Sequence, residues 1–360
     1  MDDNGDSYVS GLAEESNRYF LLKFSAQGDL LWQRELDSAS EMPLVPLLLY
    51  RDSGEPRVGL VVPEYLGYSV HTFSSEGAAA WSSTLVPALP ENRSFDAWSA
   101  AFSADGHVYV VGHRDYDAGF AARHSGDGSA DWVRIESEVD LRGVEVADSS
   151  GIVGWGYGFD EPTIVRCDAL GNRLWIRTLT DEEGWTFAAW DLEVAQAGKV
   201  YFAGNACRGG DCRPALAALG ADGSWLWSQI LAAGFPYDRG FRALSVGPDT
   251  LHGLLDRASS GEAFIDVLSF TTSGESLGVQ FMGPFSSALS AESLVDSRGW
   301  LRFAASVQME AASQLLLGSL SPTGLLQYAT HSWVDLAEGG TCDLAEASDH
   351  GLIVVGEKSI

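Results

Sequence analysis

The chain has 360 residues, of which 46% are apolar and 11% aromatic, a composition that supports a packed core and excludes an intrinsically disordered protein. Its formal net charge of −28 comes from 50 acidic against 22 basic residues. Because such a surface repels phosphate backbones and anionic lipid, the charge disfavours nucleic-acid and membrane-surface partners. The sequence also contains no apolar run long enough to span a membrane.

One short element recurs along the chain: a glycine at a turn, followed four residues later by a tryptophan that opens an apolar run. It is clearest at Gly171 and Trp175, and degenerate copies follow Gly274 and Gly324. The seven turn glycines lie 49, 51, 43, 52, 51 and 50 residues apart. A period near 50 residues indicates an array of one supersecondary unit. The tryptophans at this position are Trp32, Trp81, Trp132, Trp175 and Trp227.

The predicted strands follow one another in a fixed order within each unit. Residues 5–11 end in glycine, and similar segments at 106–112 and 198–204 mark the second strand of a unit. A third strand, as in residues 19–24, leads through the glycine turn into a fourth strand that begins with the tryptophan. The first strand precedes the second, as in residues 191–195. Four short strands per unit without helical periodicity predict an all-β fold.

The predicted architecture is a β-propeller of four-stranded antiparallel blades, formed by residues 1–360 as a single domain. Seven hairpins favour seven blades. The chain begins without a first strand, whereas residues 342–348 and 351–356 supply a first and a second strand after the seventh hairpin. We therefore expect C-terminal strands to complete the N-terminal blade and close the ring, with one strand to spare. An eight-bladed ring with an incomplete last blade is the alternative.

The cysteines and the N-terminus bear on the compartment. Cys207 and Cys212 bracket a loop with two glycines, which favours a local disulfide over a zinc site. A disulfide would indicate an oxidising, extracytoplasmic compartment. Cys167 and Cys342 lie in apolar strand patterns typical of buried thiols. The N-terminus is not a signal peptide and begins in the middle of a repeat, so we expect a mature or trimmed form of a longer surface protein.

The unit formed by residues 192–204, 215–219 and 221–227 resembles the seven-bladed propeller repeats of bacterial secreted and surface proteins. This resemblance covers nearly the whole chain and implies an extracytoplasmic, often lipoprotein-anchored propeller, without a set of functional residues. The Gly-x-x-x-Trp element is also similar to the tryptophan-docking motif of quinoprotein alcohol dehydrogenases, which bind pyrroloquinoline quinone. Those proteins have eight blades, adjacent cysteines and calcium ligands, and this sequence has no vicinal cysteine pair.

The repeated tryptophans suit packing between blades, because one large ring at a fixed place in each unit fills the wedge between adjacent sheets. A ligand-binding ring of tryptophans is the alternative. Trp98, Trp185 and Trp333 fall outside the repeated element, near the loops that join a fourth strand to the next first strand. Together with Asp96 and Asp238 in such loops, they are predicted to contact a ligand by stacking on a sugar ring or gripping a peptide.

The loops at one end of the predicted blades are rich in acidic residues. Because Ca²⁺ takes roughly six to eight oxygen ligands, carboxylates that surround a channel mouth are candidate calcium ligands. A solvated surface and a docking site for a cationic partner are the other interpretations. His113, which is close in sequence to Asp115 and Asp117, is a further candidate for a metal ligand or an acid–base group. The candidate calcium ligands are Asp115, Asp117, Asp181, Glu182 and Glu183.

The sequence contains no motif of a zinc protease, a serine hydrolase or a phosphate-binding loop. It therefore favours a non-catalytic extracytoplasmic propeller that binds a protein or a glycan through its acidic loops, or that acts as a scaffold. A quinoprotein-like oxidoreductase or a glycan-active enzyme, with a site at the central channel, is the alternative. That alternative requires paired carboxylates or a cofactor at the channel.

Overall fold

The computed structural model describes residues 7–13, 18–25, 29–37, 48–52, 55–64, 67–85, 95–103, 105–114, 118–136, 138–147, 151–158, 161–231, 240–259, 262–296, 298–309, 312–331, 342–346 and 352–356. The chain divides into two compact units, unit 1 at Met1–Leu179 and unit 2 at Thr180–Ile360. The described residues form strands and turns, with a single-turn 3-10 helix at Gln196–Gly198. They include no helix that is long and apolar enough to cross a membrane.

Unit 1 contains four antiparallel sheets in which strands consecutive in sequence are neighbours. Sheet 1 has β1 (Ser7–Ala13), β2 (Arg18–Phe24) and β3 (Leu30–Asp37). Sheet 2 has β4 (Leu48–Asp52), β5 (Glu55–Glu64), β6 (Gly67–Ser74) and β7 (Ala79–Leu85). Sheet 3 has β8 (Phe95–Phe102), β9 (Val108–Arg114), β10 (Ala118–His124) and β11 (Ala130–Glu136). Sheet 4 has β12 (Asp140–Val146), β13 (Gly151–Gly158), β14 (Glu161–Asp168) and β15 (Arg173–Thr178).

Unit 2 continues the same pattern with three four-stranded sheets and a final pair of strands. Sheet 5 has β16 (Thr186–Val194), β17 (Val200–Arg208), β18 (Asp211–Leu219) and β19 (Trp225–Ile230). Sheet 6 has β20 (Gly240–Val246), β21 (Thr250–Ser259), β22 (Glu262–Thr271) and β23 (Ser276–Phe285). Sheet 7 has β24 (Ser287–Val295), β25 (Leu301–Met309), β26 (Ala312–Leu320) and β27 (Leu326–His331). The final pair is β28 (Cys342–Glu346) and β29 (Leu352–Gly356).

The hydrophobic core lies between successive sheets. Sheets 2 and 3 share a cluster that includes Tyr68 and Phe120, whose rings stack with centroids 5.7 Å apart. In unit 2, Phe241 and Tyr201 belong to the cluster between sheets 5 and 6, and Phe303 to the cluster between sheets 6 and 7. Each fully buried side chain of this size contributes roughly 1.5–3 kcal/mol of transfer free energy. The middle strands are buried because both faces of each such sheet are covered.

The turn between the third and fourth strands has one geometry in sheets 2 to 7. In sheet 4, for example, the amide of Gly171 donates to the carbonyl of Asp168 at 2.9 Å. The φ of Gly171 is 76°, in the left-handed region that favours glycine. The ladder also shifts register between Arg166 and Cys167, which makes Leu174, three residues after this glycine, the extra residue of a bulge. This requirement for a positive φ explains why a glycine recurs at this turn in each repeat of the sequence.

The repeated tryptophan of one sheet packs against this turn in the next sheet. The six-membered side of Trp132 lies so close to Gly171 that a Cβ atom there would be 2.8 Å from the ring. The indole nitrogen of Trp132 donates to the carbonyl of Ala169, two residues before the glycine, at 3.1 Å. Trp32 does the same to Ser75, and Trp227 to Thr272. Trp81 packs on Gly128 as well, but its contact with this turn includes no such hydrogen bond. Trp175 lies in β15, and its side chain is partly buried.

The first strands of successive sheets also lie against one another within each unit, as β8 does with β12 and β20 with β24. Repeated four-stranded meanders that pack on one another within each unit are typical of β-propeller blades. The predicted all-β fold and its four-stranded antiparallel unit are confirmed. At the chain ends, sheet 1 has three strands among the described residues, while β28 pairs with β29 and contacts β24.

Candidate functional site

The loops richest in predicted site residues lie at one end of each sheet. There the second strand turns into the third, and the fourth strand leaves for the next first strand. We call this end the loop face, marked in unit 1 by the end of β9 at Arg114 and the start of β12 at Asp140. Asp96 and Trp98 lie at the start of β8 on this face. Four predicted site residues, Asp115, Asp117, Asp238 and Trp333, lie outside the described residues.

A bulge in the first strand determines which side chains appear on the loop face. The ladder between first and second strands shifts register between Ala97 and Ser99, so Trp98 is the extra residue. The same shift occurs in the first strand of each other sheet from sheet 4 to sheet 7. The extra residues in sheets 3 to 6 are Trp98, Arg142, Trp190 and Arg242.

Asp96, Trp98 and His113 form a connected group in sheet 3. His113 is buried, and its Nε2 lies 2.8 Å from Oδ2 of Asp96. The indole nitrogen of Trp98 donates to Nδ1 of the same imidazole. Because an indole N–H can only donate, Nδ1 must accept, so in the neutral ring the hydrogen sits on Nε2 and faces Asp96. Both ring nitrogens of His113 therefore have a defined role in holding Trp98.

Sheet 4 adds a cation to this group. Arg142 donates through Nε and Nη2 to Oδ2 of Asp140, at 3.1 and 3.0 Å. Its guanidinium carbon lies 5.2 Å from the ring centre of Trp98 and 5.6 Å from that of Tyr157. Oδ1 of Asp140 lies 3.7 Å from Nδ1 of His113, so the carboxylate of sheet 4 approaches the imidazole of sheet 3. The result is a stack of an aromatic ring, a guanidinium and a second aromatic ring across neighbouring sheets.

This Trp98–Arg142–Tyr157 stack is open to solvent. Trp98 is 42% exposed and Tyr157 is 40% exposed, while His113 and Asp96 beneath them are buried. An exposed pair of large rings, of which Trp98 is held by a hydrogen bond to buried His113, can offer both apolar and polar contacts to a ligand. Rigid aromatic side chains of this kind lose little conformational entropy on binding.

Sequence reasoning identified Asp96 and Trp98 but missed Asp140, Arg142 and Tyr157. One signal was available, because Asp96-x-Trp98 and Asp140-x-Arg142 share their spacing at the start of two equivalent strands. Tyr157 carries no such signal, since it becomes a neighbour only through the ladder that pairs it with Asp140. His113 is held by Asp96 and Asp140, which are distant from it in sequence.

The acidic loop before sheet 5 is a hydrogen-bonded turn. Oδ1 of Asp181 accepts the amides of Glu183 and Trp185, both at 2.9 Å, and Glu182 and Glu183 are exposed. Trp185 is only 5% exposed, because Arg208 and Arg213 lie over its ring at 4.6 and 5.3 Å. Within the part of the chain that the structure describes, no three metal-ligating side chains come together around one point.

The two arginines that cover Trp185 belong to the hairpin that carries the predicted disulfide. Cys207 and Cys212 are bonded, which confirms that prediction. They form a cross-strand pair in the β17–β18 ladder, next to the turn through Gly209 and Gly210. Both glycines have positive φ, 58° and 87°, as a two-residue hairpin turn of this type requires. Cys167 is a buried free thiol, and burial raises its pKa to about 12.

Unit 2 presents a second arrangement on its own loop face. Trp190 is 56% exposed, and it was not predicted as a ligand contact. Next to it in sequence, the carboxylate of Asp191 accepts the amides of Leu192 at 2.8 Å and of Leu244 at 2.6 Å. Burial raises the pKa of Asp191 to about 6, although the two amide donors partly oppose that rise. Arg242 in the next sheet pairs with buried Asp256 at 3.3 Å.

No protein-family model matches the chain, and no curated protein is similar to it in sequence. Among solved structures, Sqt1 from Chaetomium thermophilum is 11% identical, with a TM-score of 0.55 over 99% of this chain and 93% of Sqt1. The β-propeller domain of the Trilobed protease from Pyrococcus furiosus, which has an open velcro topology, is 9% identical, with a TM-score of 0.47 over 90% of this chain and 88% of that domain. A protein of unknown function from Bacteroides caccae is 11% identical, with a TM-score of 0.38 over 63% of this chain and 82% of its own. At such identities the similarity to Sqt1 concerns the fold alone.

Proposed function

We propose that the protein is a non-catalytic binding or scaffold module that takes a protein or glycan ligand on its loop face. The observation that carries this proposal is the exposed Trp98–Arg142–Tyr157 stack, fixed from below by the buried pair of Asp96 and His113. A guanidinium between two rings leaves its outer edge free for hydrogen bonds to hydroxyl or carbonyl oxygens. The rings supply apolar surface to the same ligand.

The environment of His113 supports binding over catalysis. A general base must have a free lone pair within reach of the proton that it removes. Nδ1 of His113 accepts from Trp98, and Nε2 faces Asp96 at 2.8 Å, so the imidazole positions Trp98. A quinoprotein-like or glycan-active enzyme remains the alternative function, and no described group of residues favours it.

We further propose a single seven-bladed ring over residues 1–360, in which C-terminal strands complete the blade that begins with sheet 1. The three strands of sheet 1 and the extra pair β28–β29 support this proposal, and an eight-bladed ring is the alternative. The resemblance of the repeats to those of bacterial secreted and surface proteins, together with the bond between Cys207 and Cys212, supports an extracytoplasmic location.

The experiment that tests the binding function compares the wild type with Arg142→Ala on a glycan array and on a peptide array. Arg298→Ala is the matched control, because the side chains of Arg142 and Arg298 are 48% and 44% exposed and Arg298 lies in a turn between first and second strands. We expect specific ligands to lose at least about tenfold in affinity with Arg142→Ala and to keep it with Arg298→Ala. Equal binding by all three proteins, or no specific ligand on either array, would contradict the proposal.

Thermal unfolding with EDTA, with calcium, and with calcium plus pyrroloquinoline quinone tests the alternatives. A ligand that binds the native state raises the midpoint by mass action. A rise with calcium alone would support the calcium site that the sequence predicts among the carboxylates of these loops. A further rise with the quinone would favour the oxidoreductase, and the binding proposal would then be withdrawn.

A further inference from the structure

Sheet 6 breaks the tryptophan-docking pattern. The position occupied by Trp132 in sheet 3 and by Trp227 in sheet 5 is Gly278 in sheet 6. A Cβ atom added to the next turn glycine, Gly324 of sheet 7, would meet nothing within 4 Å. At Gly171 and Gly274, by contrast, the same added atom would lie 2.8 and 2.7 Å from a docked indole. The turn at Ser321–Gly324 therefore keeps its shape without the ring that covers its equivalents.

The residues around this uncovered turn differ from their equivalents in the direction of an apolar site. Leu325 follows Gly324 and is 56% exposed. At the same place after the other described turn glycines the chain has Ala78, Ser129, Asn172, Ser224 and Glu275. Thus the turn of sheet 7, which lacks an indole, carries a large apolar residue where these other described turns do not. Neither change stabilises the isolated chain, because it leaves a glycine uncovered and exposes a leucine.

The row of residues beneath the missing ring is also altered. In sheet 5 the ladder aligns Tyr201, Ala218 and Trp227, whereas in sheet 6 it aligns His252, Ser269 and Gly278. His252 is largely buried, and its Nδ1 lies 2.9 Å from Oγ of Ser269. The φ of Gly278 is 149°, a conformation that L side chains rarely adopt, so a tryptophan cannot simply be restored there.

The uncovered turn is continuous with an interface that already exists. Leu326, next to Leu325, packs against the cluster between sheets 6 and 7, which includes Met282 and Leu301. In the turns of sheets 2, 4 and 6 the carbonyl two residues before the glycine accepts an indole N–H, and Pro322 has that place in sheet 7. The chain itself shows, in its other sheets, what fits such a turn: an indole ring with its N–H toward this carbonyl.

We propose that the turn at Ser321–Gly324, together with Leu325 and the Gly278 position of β23, binds a tryptophan side chain of a partner polypeptide. The partner's indole takes the place that Trp227 takes in the turn of sheet 6. This site lies at the end of the sheets opposite to the loop face, because turns between third and fourth strands alternate with the loops in an antiparallel meander. It is therefore separate from the Trp98–Arg142–Tyr157 stack.

The test is a titration of the whole chain with N-acetyl-tryptophanamide, followed by the backbone amide resonances in NMR spectra. We expect saturable shifts at Gly324, Leu325 and Ser276, with a dissociation constant of about millimolar for so small a probe. N-acetyl-leucinamide should produce no saturable shift there. Shifts that do not saturate, that are equally large with the leucine probe, or that occur away from this turn would overturn the proposal.

Two substitutions of equal exposure make the test specific. Leu325→Asn introduces the residue that sheet 4 has at this place, and Leu174→Asn changes another leucine that is also 56% exposed. We expect Leu325→Asn to weaken binding of the tryptophan probe at least about threefold and Leu174→Asn to leave it unchanged. A peptide with a central tryptophan should bind more tightly than the amide, and its leucine version should not bind. Equal effects of the two substitutions would contradict the proposal.

Discussion

The junction between sheets 3 and 4 and the junction between sheets 5 and 6 have the same backbone but different chemistry. In both, a bulge in the first strand places a large residue on the loop face. The first junction is crossed by a contact between side chains, in which Arg142 of sheet 4 lies over the ring of Trp98 of sheet 3. The second is linked by a side chain that accepts backbone amides, from Asp191 of sheet 5 to Leu244 of sheet 6. The backbone fixes the positions from which side chains reach the loop face. The residues at a few equivalent positions decide which chemical groups that face exposes.

The difference is clearest at one position of the second strand. It is the residue that pairs with the first-strand residue two places before the bulge. This position is His113 in sheet 3 and Asn205 in sheet 5, opposite Asp96 and Ala188. The imidazole of His113 holds Trp98 and the carboxylate of Asp140 holds Arg142, whereas Trp190 at the second junction is the more exposed ring. The first junction is thus preorganised, whereas the second presents Trp190 as an exposed ring.

The largest effect should come from the feature that the two junctions share. Trp132→Ala and Trp227→Ala each remove a docked indole, so each should lower the free energy of unfolding by about 3–5 kcal/mol. Urea unfolding followed by circular dichroism measures this. Trp190→Ala, which removes an exposed ring, should change stability by less than about 1 kcal/mol. A Trp132→Ala protein as stable as Trp190→Ala would show that docking does not hold the sheets together.

Removal of the imidazole should separate the two junctions. His113→Ala leaves the buried carboxylate of Asp96 and the indole N–H of Trp98 without this partner, and should cost about 3 kcal/mol. Asn205→Ala at the equivalent position has no buried carboxylate opposite it and should cost about 1 kcal/mol or less. Urea midpoints of the two variants give the comparison. Equal losses would mean that the side-chain link in sheets 3 and 4 contributes no more than its counterpart.

The pH dependence of stability should differ at Asp191. Its folded-state pKa of about 6 lies above the ordinary aspartate value of 3.8, so the folded state holds this proton more tightly than the unfolded state. The stability that the group contributes is therefore full below about pH 4 and is lost as the pH rises through about 6, by up to about 3 kcal/mol. The destabilisation caused by Asp191→Ala should accordingly be largest near pH 4 and smallest near pH 7. Urea unfolding of both proteins at these pH values measures it, and a constant difference would contradict the assignment.

The smallest effect on stability should come from the β17–β18 hairpin of sheet 5, which carries the disulfide between Cys207 and Cys212. Replacement of Cys207 and Cys212 by serine should lower stability by about 2 kcal/mol, because the closed loop is short. Trp185 should remain covered, since Arg208 also donates to the carbonyl of Glu183 at 3.1 Å. Thermal unfolding and tryptophan fluorescence measure the two effects. In the native protein, a dithiol followed by iodoacetamide should label this pair and spare Cys167, whose thiol is buried.

Much of the fold followed from sequence because its signals are local. The turn glycine needs positive φ, and the tryptophan four residues later has one place to pack, so both recur at a fixed period. The pairing of Cys207 with Cys212 was predicted for the same reason, since a two-glycine turn brings them together within six residues. Asp96 and Trp98 were predicted as ligand contacts because they lie near a loop that joins a fourth strand to the next first strand.

The sequence by itself determined the repeated strand order, the turn chemistry and the local disulfide, because each depends on residues within one unit. Only the tertiary structure brought Arg142 and Tyr157 to Trp98, since these residues meet across two sheets and no spacing in the chain encodes that distance. The same holds for the uncovered turn at Gly324. A glycine at position 278 reads as a degenerate repeat until the structure shows which ring is missing from which turn. Packing between repeats, rather than the pattern within them, decides which side chains come together on the surface.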